Sequence, residues 1–141
     1  MTDRKSQTRP LGATATLGRT GFPHVRSATG GELSIMTGAA QAGFNPIDLL
    51  YASLSACLAM SARIAASEMG VMERITLIEV AVGGEKATEG PSRVERFDIR
   101  FTIESDLDAA EKREIVERAE GICTVSNTMV RAPGLAITIS D

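Results

Sequence analysis

The spacing of hydrophobic positions changes period several times along the chain, and each change predicts a change of element. From Leu11 to Thr37 the apolar runs are short: Ala13 to Leu17, a turn over Gly18 to Gly21, Pro23 to Ala28, then Glu32 to Met36 after Gly30-Gly31. Short β-like runs bounded by turn residues predict three strands in a meander. Residues 38–44, rich in Gly and Ala, then form a loop. Asn45 is a good helix N-cap, Pro46 suits the first helical position, and Asp48 puts a carboxylate in the first turn, where the helix dipole favours it. The helix is expected to run to about Met69, with Gly70 as its C-terminal cap.

Such a helix has about 24 residues and is roughly 36 Å long. Its charges are Asp48, Arg63 and Glu68, and Leu, Ala, Ser and Met fill nearly every face between them. A helix that is apolar almost all round must be covered almost all round. One sheet of so short a chain covers one side, so the pattern predicts a second subunit on the other and hence a homodimer.

Beyond Gly70, Arg74 to Val82 alternates and is β-rich, Gly83 to Ser92 reads as a turn region, and Val94 to Ile103 alternates again. This is a hairpin with one buried and one wet face. Asp106 or Asp108 then starts a second helix that ends at Gly121. Its inward positions are Ala109, Ile115, Val116 and Ala119, and Glu111, Lys112, Arg113, Glu114, Glu117 and Arg118 face outward. Cys123 begins a short helical stretch to about Arg131, and Leu135 to Ile139 is expected to be a closing edge strand. The fold class is α+β, with residues 1–10 a flexible tail and 11–141 a single domain.

Composition narrows the function. The chain has 141 residues, 43% of them hydrophobic, enough for a real core, but only 4% aromatic and no Trp. That leaves little for stacking on bases, so no nucleic-acid partner is expected. The net charge is −3, and the basic excess near the start is too small for a basic tail. No apolar stretch follows the charged first ten residues, which argues against a secretory signal and for a cytoplasmic setting. The uncharged run Leu49 to Ala62 falls short of the roughly 20 apolar residues of a spanning helix, so no membrane partner is expected. With two Cys and one His, a structural zinc site lacks ligands; no metal cofactor is expected.

The candidate chemistry lies in Cys57, mid-way along the long helix, and Cys123, just before the short one. In a reducing compartment such a pair rests as thiols. Burial alone raises a thiol pKa, so a working Cys57 needs a cationic or hydrogen-bonding neighbour. Making thiolate dominate at neutral pH takes roughly 2.7 kcal/mol of differential stabilisation. Small neighbours (Ala52, Ser53, Ser55, Ala56, Ala59) allow close approach around Cys57; the helical stretch that Cys123 precedes offers free main-chain N–H groups and a dipole that favour an anion, and Thr124 and Ser126 add hydroxyls. Read from spacing alone, either cysteine could equally be packing, and nothing in the spacing brings the two together.

Asn45-Pro46 through Cys57, together with Cys123-Thr124-Val125-Ser126, resembles the OsmC/Ohr family of thiol-dependent peroxidases over roughly Ala13 to Ile139. The resemblance implies an intertwined homodimer, with two long helices wrapped by sheets and active sites at the subunit interface. It implies that Cys57 attacks the distal oxygen of a hydroperoxide and becomes a sulfenic acid, and that Cys123 condenses with it to a disulfide. Organic hydroperoxides are the expected substrates, with hydrogen peroxide a second one, and an external dithiol of lipoyl type reopens the disulfide. Ala15 to Gly21 looks like the family segment that carries the active-site arginine, making Arg19 the candidate cationic partner and Arg26 its competitor. Two positions depart from the pattern: Thr124 replaces a proline, and Ile47 stands where organic-hydroperoxide members carry a glutamate that pairs with that arginine. Asp48 is the candidate replacement. It lies about 180° around and about 13.5 Å along the helix from Cys57, so it can act only by holding an arginine from elsewhere. His24 is a candidate proton donor or a surface residue, and Tyr51, Met60, Met69 and Met129 are packing or pocket lining. The rival reading is a dimeric ligand-binding or redox-sensing protein whose thiols do not turn over peroxide.

Overall fold

The computed structural model describes residues 8–141; the tail expected over residues 1–10 lies mostly outside the described residues. The chain forms two compact units, one ending at Leu49 and the other spanning Leu50–Asp141.

The first unit contains the predicted meander: β1 (Ala13–Thr16), β2 (His24–Ser27) and β3 (Glu32–Ser34), in the order β1-β2-β3. Both pairings are antiparallel, with Ala15 opposite Val25 and Val25 opposite Leu33. Ile35, the one fully buried hydrophobic residue of this unit among those described, bridges to Phe44 beyond β3. Asn45 and Asp48 then start the helix reciprocally. The Asp48 N–H donates to Asn45 Oδ1 at 2.7 Å, and the Asn45 N–H donates to Asp48 Oδ2 at 3.0 Å. Two donors that the helix start would leave orphaned are thereby satisfied.

The long helix α1 spans Pro46–Glu68 and carries most of its length into the second unit. Gly70 follows with φ +73°, the left-handed cap conformation glycine adopts without strain. By length and composition α1 is long and apolar enough to cross a membrane, which its interrupted uncharged run did not suggest. Here one side of it is a core face. Ala62, Ala65 and Ala66 are fully buried against Ile75, Ile103, Leu107, Ile115 and Ala119. Alanines at these positions let the neighbouring elements approach the helix backbone closely.

After a 3-10 turn (Met72–Arg74), β4 (Ile75–Lys86) and β5 (Val94–Ser105) form the antiparallel hairpin, with Val80 opposite Phe101 and Gly84 opposite Phe97. The turn expected over Gly83 to Ser92 is therefore shorter: Gly83 and Gly84 belong to the strand. Gly84 has a packing reason to be there, because a Cβ would lie 2.5 Å from the Arg96 carbonyl oxygen and 3.2 Å from Tyr51 Oη.

Helix α2 (Ala109–Ile122) starts at Asp108, not Asp106, with a full capping box shared with Glu111. Arg74 ties the same corner together, its Nε donating to Asp106 Oδ1 at 2.7 Å and its Nη1 to Glu111 Oε1 at 3.3 Å. Ile115 and Ala119 point inward as expected, but Ala109, in the exposed first turn, does not. The helix runs through Gly121 and ends one residue later, and α3 (Thr124–Val130) follows Cys123 directly. The closing strand expected over Leu135 to Ile139 does not form within the chain. Leu135, Ile137 and Ile139 are 87%, 86% and 95% exposed. A strand needs a partner to bond to, and this segment pairs with none of the five strands β1 to β5.

Candidate active site

Cys123 lies where α2 ends and α3 begins. Its N–H closes α2 on the Ala119 carbonyl at 2.9 Å, and its Sγ caps α3 by accepting the Ser126 N–H at 3.3 Å. Four residues beyond the buried Ala119, Cys123 shares its inward direction and is itself fully buried. Cys57 reaches the same place from α1. Leu54, Leu58 and Cys123 form a buried cluster, and Cys57, Val80, Val82, Phe97, Phe101, Val125 and Met129 pack around it. The two thiols thus share one apolar cage built by α1, the hairpin and α3. Tyr51, one α-turn before Leu54, closes it from α1 with its ring edge-on to Phe97 at a centroid distance of 5.8 Å.

The environment separates the two thiols electrically. For Cys57, desolvation is the largest single influence and pushes the pKa up. It is outweighed by the Val125 main-chain N–H, the Cys123 side chain, the Thr124 main-chain N–H and the Ser61 hydroxyl, which together hold the thiol below its ordinary value. For Cys123, desolvation again leads, and the adjacent Cys57 adds to it, so its pKa is raised despite the Ser126 and Val125 N–H groups. The pair therefore has one thiol more acidic than usual and a neighbour less acidic than usual. Both cysteines are free, not joined as a disulfide.

Arg19 lies in the turn between β1 and β2, and Arg26 lies in β2 opposite Thr14 and Glu32. Both belong to the first unit. Asp48 is engaged in capping α1. His24 forms an exposed cross-strand pair with Glu32 at 3.4 Å, fitting the surface reading. Among the described residues no three His, Cys, Asp or Glu side chains gather as a metal site.

Two contributions to Cys57 escaped the sequence reading. Ser61, buried four residues after Cys57, was legible as an i,i+4 neighbour on the same helix face. The N–H groups of Thr124 and Val125 carry no side-chain signature at all. At the helix start after Cys123 it is the Ser126 main-chain N–H, not its hydroxyl, that reaches the sulfur.

The comparisons agree with this architecture. Residues 38–139 match the model of the OsmC-like protein family. The chain belongs to that family. An OsmC-like protein from Mycoplasma pneumoniae has a TM-score of 0.74 at 20% identity, covering 88% of this chain and 89% of its own. The organic hydroperoxide resistance protein OhrB of Bacillus subtilis gives 0.64 at 23% identity, covering 86% and 90%. An organic hydroperoxide resistance protein OsmC from Legionella pneumophila gives 0.66 at 22%, covering 86% and 89%. No curated protein matches the sequence significantly. At these identities the likeness shows the fold, and the chemistry must be argued from the residues.

Proposed function

We propose that this protein is a thiol peroxidase that reduces organic hydroperoxides, with hydrogen peroxide a second substrate, through a peroxidatic Cys57 and a resolving Cys123. The observation that carries this reading is the pair of adjacent free thiols with oppositely displaced acidities in one apolar cage. The half-buried Cys57, biased toward thiolate, is suited to attack, and the apolar lining favours an alkyl substituent on the peroxide. Cys123, packed beside it in the same cage, would condense with the sulfenic acid. Two of the structurally similar proteins are named for organic hydroperoxide resistance, which supports the same reading.

In this account Arg19 supplies the cationic neighbour of the thiolate. Asp48 holds the helix start and takes over the arginine-pairing role only if its carboxylate can serve both. The protein works in the cytoplasm as a homodimer, reduced by an external dithiol of lipoyl type. The exposed apolar residues Leu50, Met60 and Ile64 on α1, with Leu77 and Ile99 on the hairpin, are the surface a second subunit would cover. The unpaired Leu135, Ile137 and Ile139 segment would find its strand partner in the same assembly.

Hydroperoxide consumption in the presence of dihydrolipoamide tests the reading. Wild-type protein should consume cumene hydroperoxide faster than hydrogen peroxide, Cys57→Ser should consume neither, and Arg19→Ala should be slower while Arg26→Ala is not. Consumption by wild type no faster than by Cys57→Ser would overturn the peroxidase reading and leave a ligand-binding or redox-sensing dimer.

A further inference from the structure

Cys123 poses a chemical problem that its role as resolving thiol leaves unsolved. Disulfide formation requires it to attack as thiolate. Yet Cys123 is fully buried and its acidity is weakened by desolvation and by Cys57. It needs a base, close at hand, at the moment the sulfenic acid appears.

Its surroundings show where the proton can go. The Cys123 sulfur accepts the Ser126 N–H at 3.3 Å, leaving the thiol hydrogen free to be donated elsewhere. The residues packed around the two thiols on α1, β4, β5 and α3 are Leu54, Leu58, Val80, Val82, Phe97, Phe101, Val125 and Met129, none of which titrates. Cys57 is the titratable side chain packed next to Cys123, with the Ser61 hydroxyl and the phenol of Tyr51 nearby on α1, while the Ser53 and Ser55 hydroxyls are spent on the Leu50 and Ala52 carbonyls.

Resting on the peroxidase reading, we infer that Cys123 is the general acid of the first step: its thiol proton passes to the oxygen that leaves the peroxide. The Cys57 thiolate attacks the distal oxygen of ROOH. The O–O bond breaks, an S–O bond forms, and the departing alkoxide takes the Cys123 proton, giving ROH, Cys57 sulfenic acid and Cys123 thiolate. An alkoxide is a far stronger base than any thiolate, so this transfer runs downhill even from a buried thiol. The charge it leaves on Cys123 falls on a sulfur already holding the Ser126 N–H at the start of α3. That thiolate then attacks the Cys57 sulfur, the S–S bond forms and hydroxide leaves, taking a proton from solvent to become water. Two electrons have passed from the two thiols to the peroxide. The external dithiol returns them. One proton thus does two tasks in sequence: in the resting site it is shared with the Cys57 thiolate and stabilises it, and on delivery it arms the resolving cysteine.

The test separates proton delivery from thiolate activation by choice of oxidant. Loss of the Cys57 thiol is followed by rapid quench and mass mapping in wild type, Cys123→Ala and Cys123→Ser, at a pH where Cys57 is fully ionised in each. Cumene hydroperoxide has a leaving group that needs a proton; peracetic acid leaves as a stable carboxylate that does not. Cys123→Ala should slow the reaction with cumene hydroperoxide by about 100-fold or more, in the range general acids contribute, and leave peracetic acid within about threefold. Cys123→Ser, a weaker acid of similar shape, should fall between and covers the case in which the alanine variant folds poorly. Equal rates with cumene hydroperoxide across the three proteins, or equal slowing with both oxidants, would overturn the proposal. A wild type oxidised by neither reagent would instead overturn the peroxidase reading itself.

Discussion

Replacing Gly84 by alanine probes how the hairpin makes room for the site. The new Cβ would lie 2.5 Å from the Arg96 carbonyl oxygen, where ordinary contacts begin at 3.4 Å, so the strands must separate or the backbone twist by about 0.9 Å. The obstacle is backbone, which cannot swing aside like a flexible side chain. Overpacking of this kind costs about 1–3 kcal/mol, against about 0.4–1 kcal/mol gained from a stiffer unfolded chain. A net loss of about 1–2 kcal/mol in a chain of this size lowers Tm by roughly 3–8 °C. Gly83→Ala is the matched control, since nothing lies within 4 Å of its Cβ position. The disturbance should also reach the thiols. Tyr51 Oη is 3.2 Å from the same position, and its ring packs edge-on against Phe97 of the cage. Thermal unfolding followed by circular dichroism, with Cys57 alkylation rates measured alongside, checks both effects. A Gly84→Ala protein as stable as Gly83→Ala, with unchanged alkylation, would refute the packing argument.

Thr124→Pro removes one main-chain donor from Cys57 at a first helical position that accepts proline. The sign follows from the lowered pKa of the folded Cys57. Its ionisation stabilises the fold fully above the unfolded thiol pKa of about 8.5, and this contribution is lost as pH falls through the folded value. Cys123, raised, contributes in the opposite sense and loses its contribution as pH climbs through its own folded value. Thr124→Pro should therefore move the midpoint of Cys57 alkylation upward in pH, while Thr124→Ala, which keeps the N–H, should not; iodoacetamide rates against pH read this directly. Asp48→Ala should cost about 1 kcal/mol through the lost cap, measured by urea denaturation, whereas Asp48→Asn keeps an acceptor and loses only the dipole part. Equal loss of peroxidase activity in both Asp48 variants, despite their unequal stability, would show that the charge serves an arginine. Asp108→Ala should likewise cost about 1 kcal/mol without altering Cys57 alkylation, because its capping box lies at the far end of α2 from Cys123.

The elements that local chemistry dictates were legible in the sequence. Asn45, Pro46 and Gly70 fix both ends of α1 almost to the residue, since caps are decided by single side chains and a single φ. The meander and the hairpin followed from alternation between turn residues. What misled was glycine at positions 83 and 84, where the residue type that usually turns the chain is retained for lack of space. The Leu135 to Ile139 segment has a strand's alternation but pairs with no strand of its own chain, and pairing is a condition no local pattern reports. The site was half legible. Each cysteine could be picked out, but their meeting depends on how α1 packs against the α2–α3 junction, and the donors that tune Cys57 are main-chain groups every residue except proline carries.

Peroxide reduction by this protein requires Cys57 and Cys123 to react as a pair. Intact-mass analysis of reduced protein after a brief pulse of equimolar cumene hydroperoxide, without reductant, measures that most directly. The wild type should lose about 2 Da, mapped to a bond between Cys57 and Cys123, and Cys57→Ser should not. An unchanged wild-type mass, with both thiols still titratable after unfolding, would contradict it.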